Sequence, residues 1–246
     1  MPRTSEPGRT VGSRLLEVLF AFQPGHSALS LADLVRKTGM PHATVRRLAV
    51  ELTGFGALDR RPDGRFTVGL RLWQLGTLAP LTESLRTLAQ PFLEDLCTAL
   101  HQHVQLAVLE GQEAVIIERL SAPEAPELVS QVGGRLPLHC TGVGKVPLSH
   151  GGTELIETVL SGELREYSSR SIVAPEVLRK EIADCRRTGT ATVRGELTPG
   201  TDSVATRIVD GEGGLAEHRQ RQDGKRCPSA GQQEEDRGPG GNGVGT

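Results

Sequence analysis

The chain has no run approaching the ~20 consecutive apolar residues that a membrane-spanning helix needs, so no span is expected in its 246 residues. Its first residues, Met1-Pro2-Arg3-Thr4-Ser5-Glu6, are polar and carry none of the apolar core of a secretory signal. Its four cysteines, Cys97, Cys140, Cys185 and Cys227, never form a Cys-x-x-Cys pair, which argues against a disulfide framework or a zinc knuckle and for a reducing cytoplasm. Gly142-Val143-Gly144-Lys145 lacks the spacing and the Ser/Thr of a phosphate-binding loop. Charge of one sign is scarce overall, with a net value of -2, but it is unevenly placed. Residues 1–80 hold eleven basic and six acidic side chains, and the remainder 17 and 24. A basic first third before an acidic remainder is the distribution of a nucleic-acid-binding module joined to something else.

Hydrophobic periodicity divides the chain. Val11, Leu15, Val18, Leu19 and Phe22 recur at helical spacing, and Pro24-Gly25 ends that first helix. Ser30 is placed to cap a second helix beginning at Leu31, its hydroxyl accepting a free amide. Gly39 follows where a left-handed backbone would turn the chain sharply. After Pro41, a third helix over His42–Thr53 buries Val45, Leu48, Ala49 and Leu52. Asp63-Gly64 is a hairpin dipeptide between two short strands. Residues Gly69–Ala79 read as a linker helix carrying Leu70, Leu72, Trp73, Leu75 and Leu78. Three helices and a two-stranded hairpin make a winged helix.

Beyond it, Leu85, Leu88, Phe92, Leu96 and Leu100 keep the helical period from Thr82 to His101. Strands are expected at Val104–Leu109, Ala114–Leu120, Leu128–Gln131, Ala191–Val193 and Ser203–Val209, and helices at Thr153–Ser161 and Pro175–Thr188. Interleaved strands and helices give an α+β class with a central sheet. From Gly214 to Thr246 the only aliphatic side chains larger than alanine are Leu215 and Val244, too few to offset the entropy of ordering. The expected division is a disordered leader over 1–10, a winged helix-turn-helix over 11–69, a linker helix over 70–81, a second domain over 82–213, and a disordered polar tail over 214–246.

A helix-turn-helix reads DNA when its second helix has one buried and one exposed face. On His42–Thr53, Arg47 points almost opposite to the buried stripe, with Ala43, Thr44, Arg46, Val50 and Glu51 around it. Thr44, Arg46 and Arg47 are the residue types that meet base edges and phosphates. Arg61 and Arg65 flank the wing turn, where they would meet phosphates or the minor groove. Other chemistry has thinner support. His139-Cys140, as neighbours in a strand, would point to opposite faces and could not act as a nucleophile–base pair. His101 and His103 lack a nearby third metal ligand, so neither a metal nor a cofactor is expected.

Ser30–Leu48 and Phe66–Leu72 resemble the helix-turn-helix and wing of the IclR family, and Gly134–Lys145 and Arg194–Ala205 resemble segments of its second domain. The resemblance spans about Val11 to Gly213. It implies a bacterial transcription regulator with a GAF-like α/β effector-binding domain. Its partners would be double-stranded operator DNA and a small organic effector, often a carboxylic acid, and it would assemble as a homodimer or a dimer of dimers. Carried over by position, it points to Thr141, Gly142 and Val143, in a compact glycine-rich loop whose amides would face an anion, and to Glu196, Ser203 and Ala205 as pocket neighbours. Family members continue past Asp210-Gly211-Glu212-Gly213 into an apolar strand and a terminal helix, whereas here the polar tail begins. A frame disruption or truncation near Gly213, leaving the second domain incomplete, is the expectation. A regulator deaf to its effector and a small-molecule enzyme remain as alternative readings.

Overall fold

The computed structural model describes residues 10–78, 80–125 and 130–209. The expected tail and residues 1–9 of the expected leader lie outside them.

The first helix, α1 (Val11–Phe20), starts one residue after Thr10, whose Oγ1 accepts the Ser13 amide at 3.0 Å. The chain then forms a two-residue strand, β1 (Ala28–Leu29), too short to leave a pattern in the sequence. Helix α2 (Leu31–Thr38) begins where Ser30 predicts. The Ser30 hydroxyl accepts the Asp33 amide at 3.1 Å, and the Asp33 carboxylate accepts the Ser30 amide at 3.0 Å, a reciprocal cap that satisfies two otherwise free donors. Gly39, at φ +64°, closes the helix. Helix α3 (His42–Gly54) follows, and the wing is formed by β2 (Leu58–Arg60) and β3 (Phe66–Val68). Strand β3 is central, pairing antiparallel with β1 and β2 and setting Arg60 opposite Phe66. One core holds this unit together: Val18, Leu34, Val45, Leu48 and Leu58 are fully enclosed.

Helix α4 (Leu70–Gly76) leads into α5 (Pro80–Leu100). In α5 the periodic stripe is not the buried one. Leu88, Phe92, Leu96 and Leu100 are exposed, and the helix packs on the next strands through Leu85, Ala89 and Leu93. Trp73, Leu75 and Leu78 are exposed as well. An antiparallel sheet follows, β4 (Val104–Glu110), β5 (Glu113–Leu120) and β6 (Arg135–Pro137), in that order. Of the strand expected at Leu128–Gln131, residues 128 and 129 lie outside the described residues and Ser130 and Gln131 are not in a strand, while Arg135–Pro137 pairs with β5.

Three helices come next, α6 (Gly142–His150), α7 (Gly152–Ser161) and α8 (Pro175–Thr188). The antiparallel pair β7 (Thr190–Arg194) and β8 (Asp202–Thr206) completes the fold. Strand β8 ends three residues earlier than the alternation suggests. Leu148 of α6 joins the core of Ala114, Leu138, Ile156 and Leu178, while Val146 packs with Cys185, Ala191 and Ala205. This helix therefore joins two sheets that, among the described residues, share no hydrogen-bonded strand.

Candidate functional site

The amino-terminal site is built by the α2–α3 turn. Its geometry depends on Gly39, because a side chain in the left-handed region costs about 1–2 kcal/mol, and the Gly39 amide bonds the Val35 carbonyl at 2.9 Å. On α3 the expected stripe of Val45, Leu48, Ala49 and Leu52 is buried. Met40, which the periodicity passes over, joins the same core. Arg46 and Arg47 are exposed, Thr44 is half-buried, and neither guanidinium has an ion pair or hydrogen bond with a described residue. An unpaired guanidinium on a protruding helix loses little on meeting a new acceptor, since no internal contact has to break.

The two wing arginines differ. Arg65 is tied to Asp63, its Nε donating to Oδ2 at 2.8 Å and its amide to Oδ1 at 3.0 Å. Those hydrogen bonds from Arg65 hold the Asp63 carboxyl below the usual range. Arg61 makes only backbone bonds, its amide donating to the Arg65 carbonyl at 2.8 Å and its carbonyl accepting the Gly64 amide at 2.9 Å, and its exposed side chain is unpaired among the described residues. Arg60, not anticipated, lies over the Phe66 ring at 5.8 Å.

In the second domain the expected glycine-rich loop is the first turn of α6. Thr141 is the N-cap. Its hydroxyl accepts the Gly144 amide at 3.1 Å and donates to the Pro137 carbonyl at 2.7 Å, so its one proton is already committed. Gly142 lies against β8, where an added Cβ would sit 3.0 Å from Ala205 Cβ and 3.3 Å from Ser203 Oγ. Gly142, Ser203 and Ala205 are therefore brought together. The Val143 side chain turns away, into the core of Ala114 and Leu138. The amides of Gly142 and Val143 have no described acceptor, as expected at the start of a helix.

Glu196 is buried, and its partner is a residue that sequence patterning passes over. Lys145, 0% exposed, donates from Nζ to Glu196 Oε1 at 2.7 Å and stands 3.5 Å from Glu181 Oε2. The Ser171 hydroxyl anchors the Glu196 carbonyl at 2.6 Å. A lysine inside the short apolar segment Gly142–His150 was the available signal, since a buried ammonium must find a carboxylate. The Cys140 thiol is pushed up to about 12, by burial first and then by the Glu196 charge. His139 and Cys140 lie in a bend after β6 rather than in a strand, so the expected alternation of faces does not apply. The His139 Nε2 atom is engaged with the Arg165 carbonyl at 2.9 Å. Iodoacetamide at pH 8 is expected to label Cys97 of the native protein and to spare Cys140 and Cys185, with peptide mapping as the readout. Labelling of Cys140 at the rate of Cys97 would contradict its enclosure.

Among the described residues no group of three metal-binding side chains occurs, and no helix is long and apolar enough to cross a membrane.

A winged helix with an exposed arginine face, followed by an α/β domain, is an architecture suited to a DNA-binding transcription regulator. Residues 13–62 match the IclR helix-turn-helix domain and residues 81–216 the bacterial transcriptional regulator IclR C-terminal domain. The chain belongs to the IclR family of bacterial transcriptional regulators. It is 31% identical over 203 residues to the HTH-type transcriptional regulator KipR of Bacillus subtilis, covering 82% of this chain and 80% of that protein. With the Pca regulon regulatory protein of Pseudomonas putida the identity is 33% over 206 residues, 82% of this chain and 69% of the relative. Among solved structures, an IclR homologue from Microbacterium hydrocarbonoxydans complexed with 4-hydroxybenzoate superimposes with a TM-score of 0.78 at 32% identity, over 84% of this chain and 86% of that one.

Proposed function

We propose that α3 enters the major groove of operator DNA with Arg46 and Arg47 at base edges or phosphates and Thr44 beside them. Arg61 and Arg65 of the wing then lie along the backbone, with Arg61 the more available because Arg65 must first leave Asp63. The observation that carries this reading is the exposed, unpaired guanidinium of Arg47 opposite the buried stripe of α3. Exposed Trp73, Leu75 and Leu78 on and just after α4, with Leu88 and Phe92 on α5, support assembly with a second copy as a homodimer or a dimer of dimers, which would read two half-sites.

The second domain is read as the sensor of a small organic carboxylate. The free amides of Gly142 and Val143 supply donors for an anion, Ser203 and Ala205 border them, and Lys145 offsets the charge of Glu196. Thr141 contributes by fixing the helix start. The homologue complexed with 4-hydroxybenzoate, itself a carboxylate, supports that ligand class. Effector binding changes DNA affinity only as far as the effector prefers one of two arrangements of the DNA-binding units. Catalysis forms no part of the reading, because the relatives are transcriptional regulators, and a reducing cytoplasm suits the free cysteines. The open outer edges of β4 and β8 among the described residues favour a second reading, a regulator that binds DNA without responding to an effector.

Fluorescence anisotropy on duplexes selected from a random library tests both readings. Arg47→Ala is expected to weaken specific binding about five- to 150-fold, the range for losing one paired contact to guanine. Unchanged affinity and sequence preference would overturn the assignment of α3. Titrating aromatic and short-chain carboxylates into the wild-type complex separates the two sensor readings, since the second requires that no member shift the binding curve.

A further inference from the structure

The exposed face of α3 is not purely cationic. Ala43, Arg47 and Val50 follow one another at i, i+4 and i+7, which stacks them on a single stripe. All three are exposed, Val50 by 60%. The stripe is opposite Val45, Leu48, Ala49 and Leu52, which form the core. Val50 therefore contributes nothing to the interior, and a β-branched residue is among the weaker helix formers. Neither packing nor local propensity accounts for a bare valine one turn past an unpaired arginine.

We infer that Val50 and Ala43 read the 5-methyl groups of thymines on either side of the base pair that Arg47 contacts. The inference rests on the placement of α3 in the major groove. That groove offers one strongly apolar feature, the thymine methyl, which small apolar side chains recognise by contact. The spacing agrees. Arg47 lies about 4.5 Å along the helix axis from Val50 and about 6 Å from Ala43, against a rise of about 3.4 Å per base pair. The two apolar side chains thus fall within about two base pairs of the arginine's base. Arg46, exposed on the flank of the same stripe, supplies positive charge that suits a polyanion. The half-site that fits is a guanine with a thymine close by on one or both sides.

The test uses the full chain and a duplex selected from a random-sequence library. Within each half-site, every dG is replaced in turn by 7-deaza-dG and every dT by dU, which deletes only the methyl. Anisotropy is measured for the wild type, Arg47→Ala, Val50→Ala and Ala43→Ser. Both small substitutions are at exposed positions, and circular dichroism checks that they fold. The expected result is a guanine whose 7-deaza penalty vanishes in Arg47→Ala and, within about two base pairs, a thymine whose dU replacement weakens binding about fourfold, the worth of one buried methyl. That dU penalty should shrink in Val50→Ala, whose shorter side chain draws back from the methyl, or in Ala43→Ser, according to side. An Arg47-dependent guanine with dU tolerated throughout, or a dU penalty that persists undiminished in both apolar variants, overturns the methyl reading alone. Loss of a dimer in Val50→Ala with its dU penalty intact also overturns it. Failure to select any duplex, or to find an Arg47-dependent guanine, overturns the placement of α3 beneath it.

Discussion

Lys145→Met is expected to lower the unfolding free energy of the second domain by about 3–5 kcal/mol, the cost of breaking a buried ion pair from one side. The substitution keeps most of the unbranched side chain and removes the ammonium. Glu196 would then hold its carboxylate in an enclosed site where one oxygen, Oε2, already has no hydrogen-bond partner among the described residues. Glu181 cannot substitute, since it carries the same charge as Glu196 and its side chain is 45% exposed. The measurement is the urea midpoint of the second domain's transition, followed by circular dichroism. Lys145→Met/Glu196→Leu should recover most of the loss, because no unpaired charge remains to be buried. A midpoint that is unchanged in the single variant would show that Nζ and Oε1 are not joined in solution. DNA binding by the winged helix, which has a core of its own, provides an independent readout.

Within the second domain, Gly144→Ala is expected to be the most damaging substitution that adds a single carbon. A Cβ there would lie 2.5 Å from Leu138 Cα, 2.6 Å from Thr141 Oγ1 and 2.7 Å from the Pro137 carbonyl oxygen. Two of these atoms are backbone and the third is the helix cap, so none can swing aside as the end of a flexible side chain could. The first turn of α6 must move away from β6, breaking the bond between the Thr141 hydroxyl and Pro137. Overpacking of this kind costs about 1–3 kcal/mol and sometimes more, and loss of the cap adds about 1 kcal/mol. The same change at Gly76 is the control, since nothing lies within 4 Å of its added Cβ and alanine is the better helix former. Thermal unfolding should therefore separate the two variants by several degrees. Equal melting would mean that α6 does not approach the chain before it as closely as the geometry requires.

Legibility of the sequence differs between the two halves. In the winged helix nearly every decisive signal is local: the Ser30 cap, the Gly39 turn, the stripe on α3 and the Asp63-Gly64 hairpin each act over a few residues, and each element stands where its signal puts it. In the second domain the Thr141–Lys145 segment reads as a loop because it contains two glycines and is soon followed by Pro147, all unfavourable inside a helix. Packing reverses that reading. Gly142 must admit β8 and Gly144 must admit the chain around Leu138, so the residues that weaken the helix locally are those that let it dock. The regular stripe of α5 misleads in the opposite direction. Its period is correct, but the side that the described chain buries is the one bearing Ala89 and Leu93.

The residue order alone determined that this chain carries a winged helix with arginines on its outward face, because caps, turns and a 3.6-residue period are written within one or two helical turns. Only the tertiary structure decided which charges are committed and which are free. Lys145 and Glu196 are 51 residues apart in the chain and 2.7 Å apart in space, and Arg65 is bound to Asp63 while Arg47 is not. The Lys145–Glu196 pairing depends on how α6, α8 and the segment after β7 enclose a common volume, and burial against distant neighbours leaves no periodic trace in the residues that experience it.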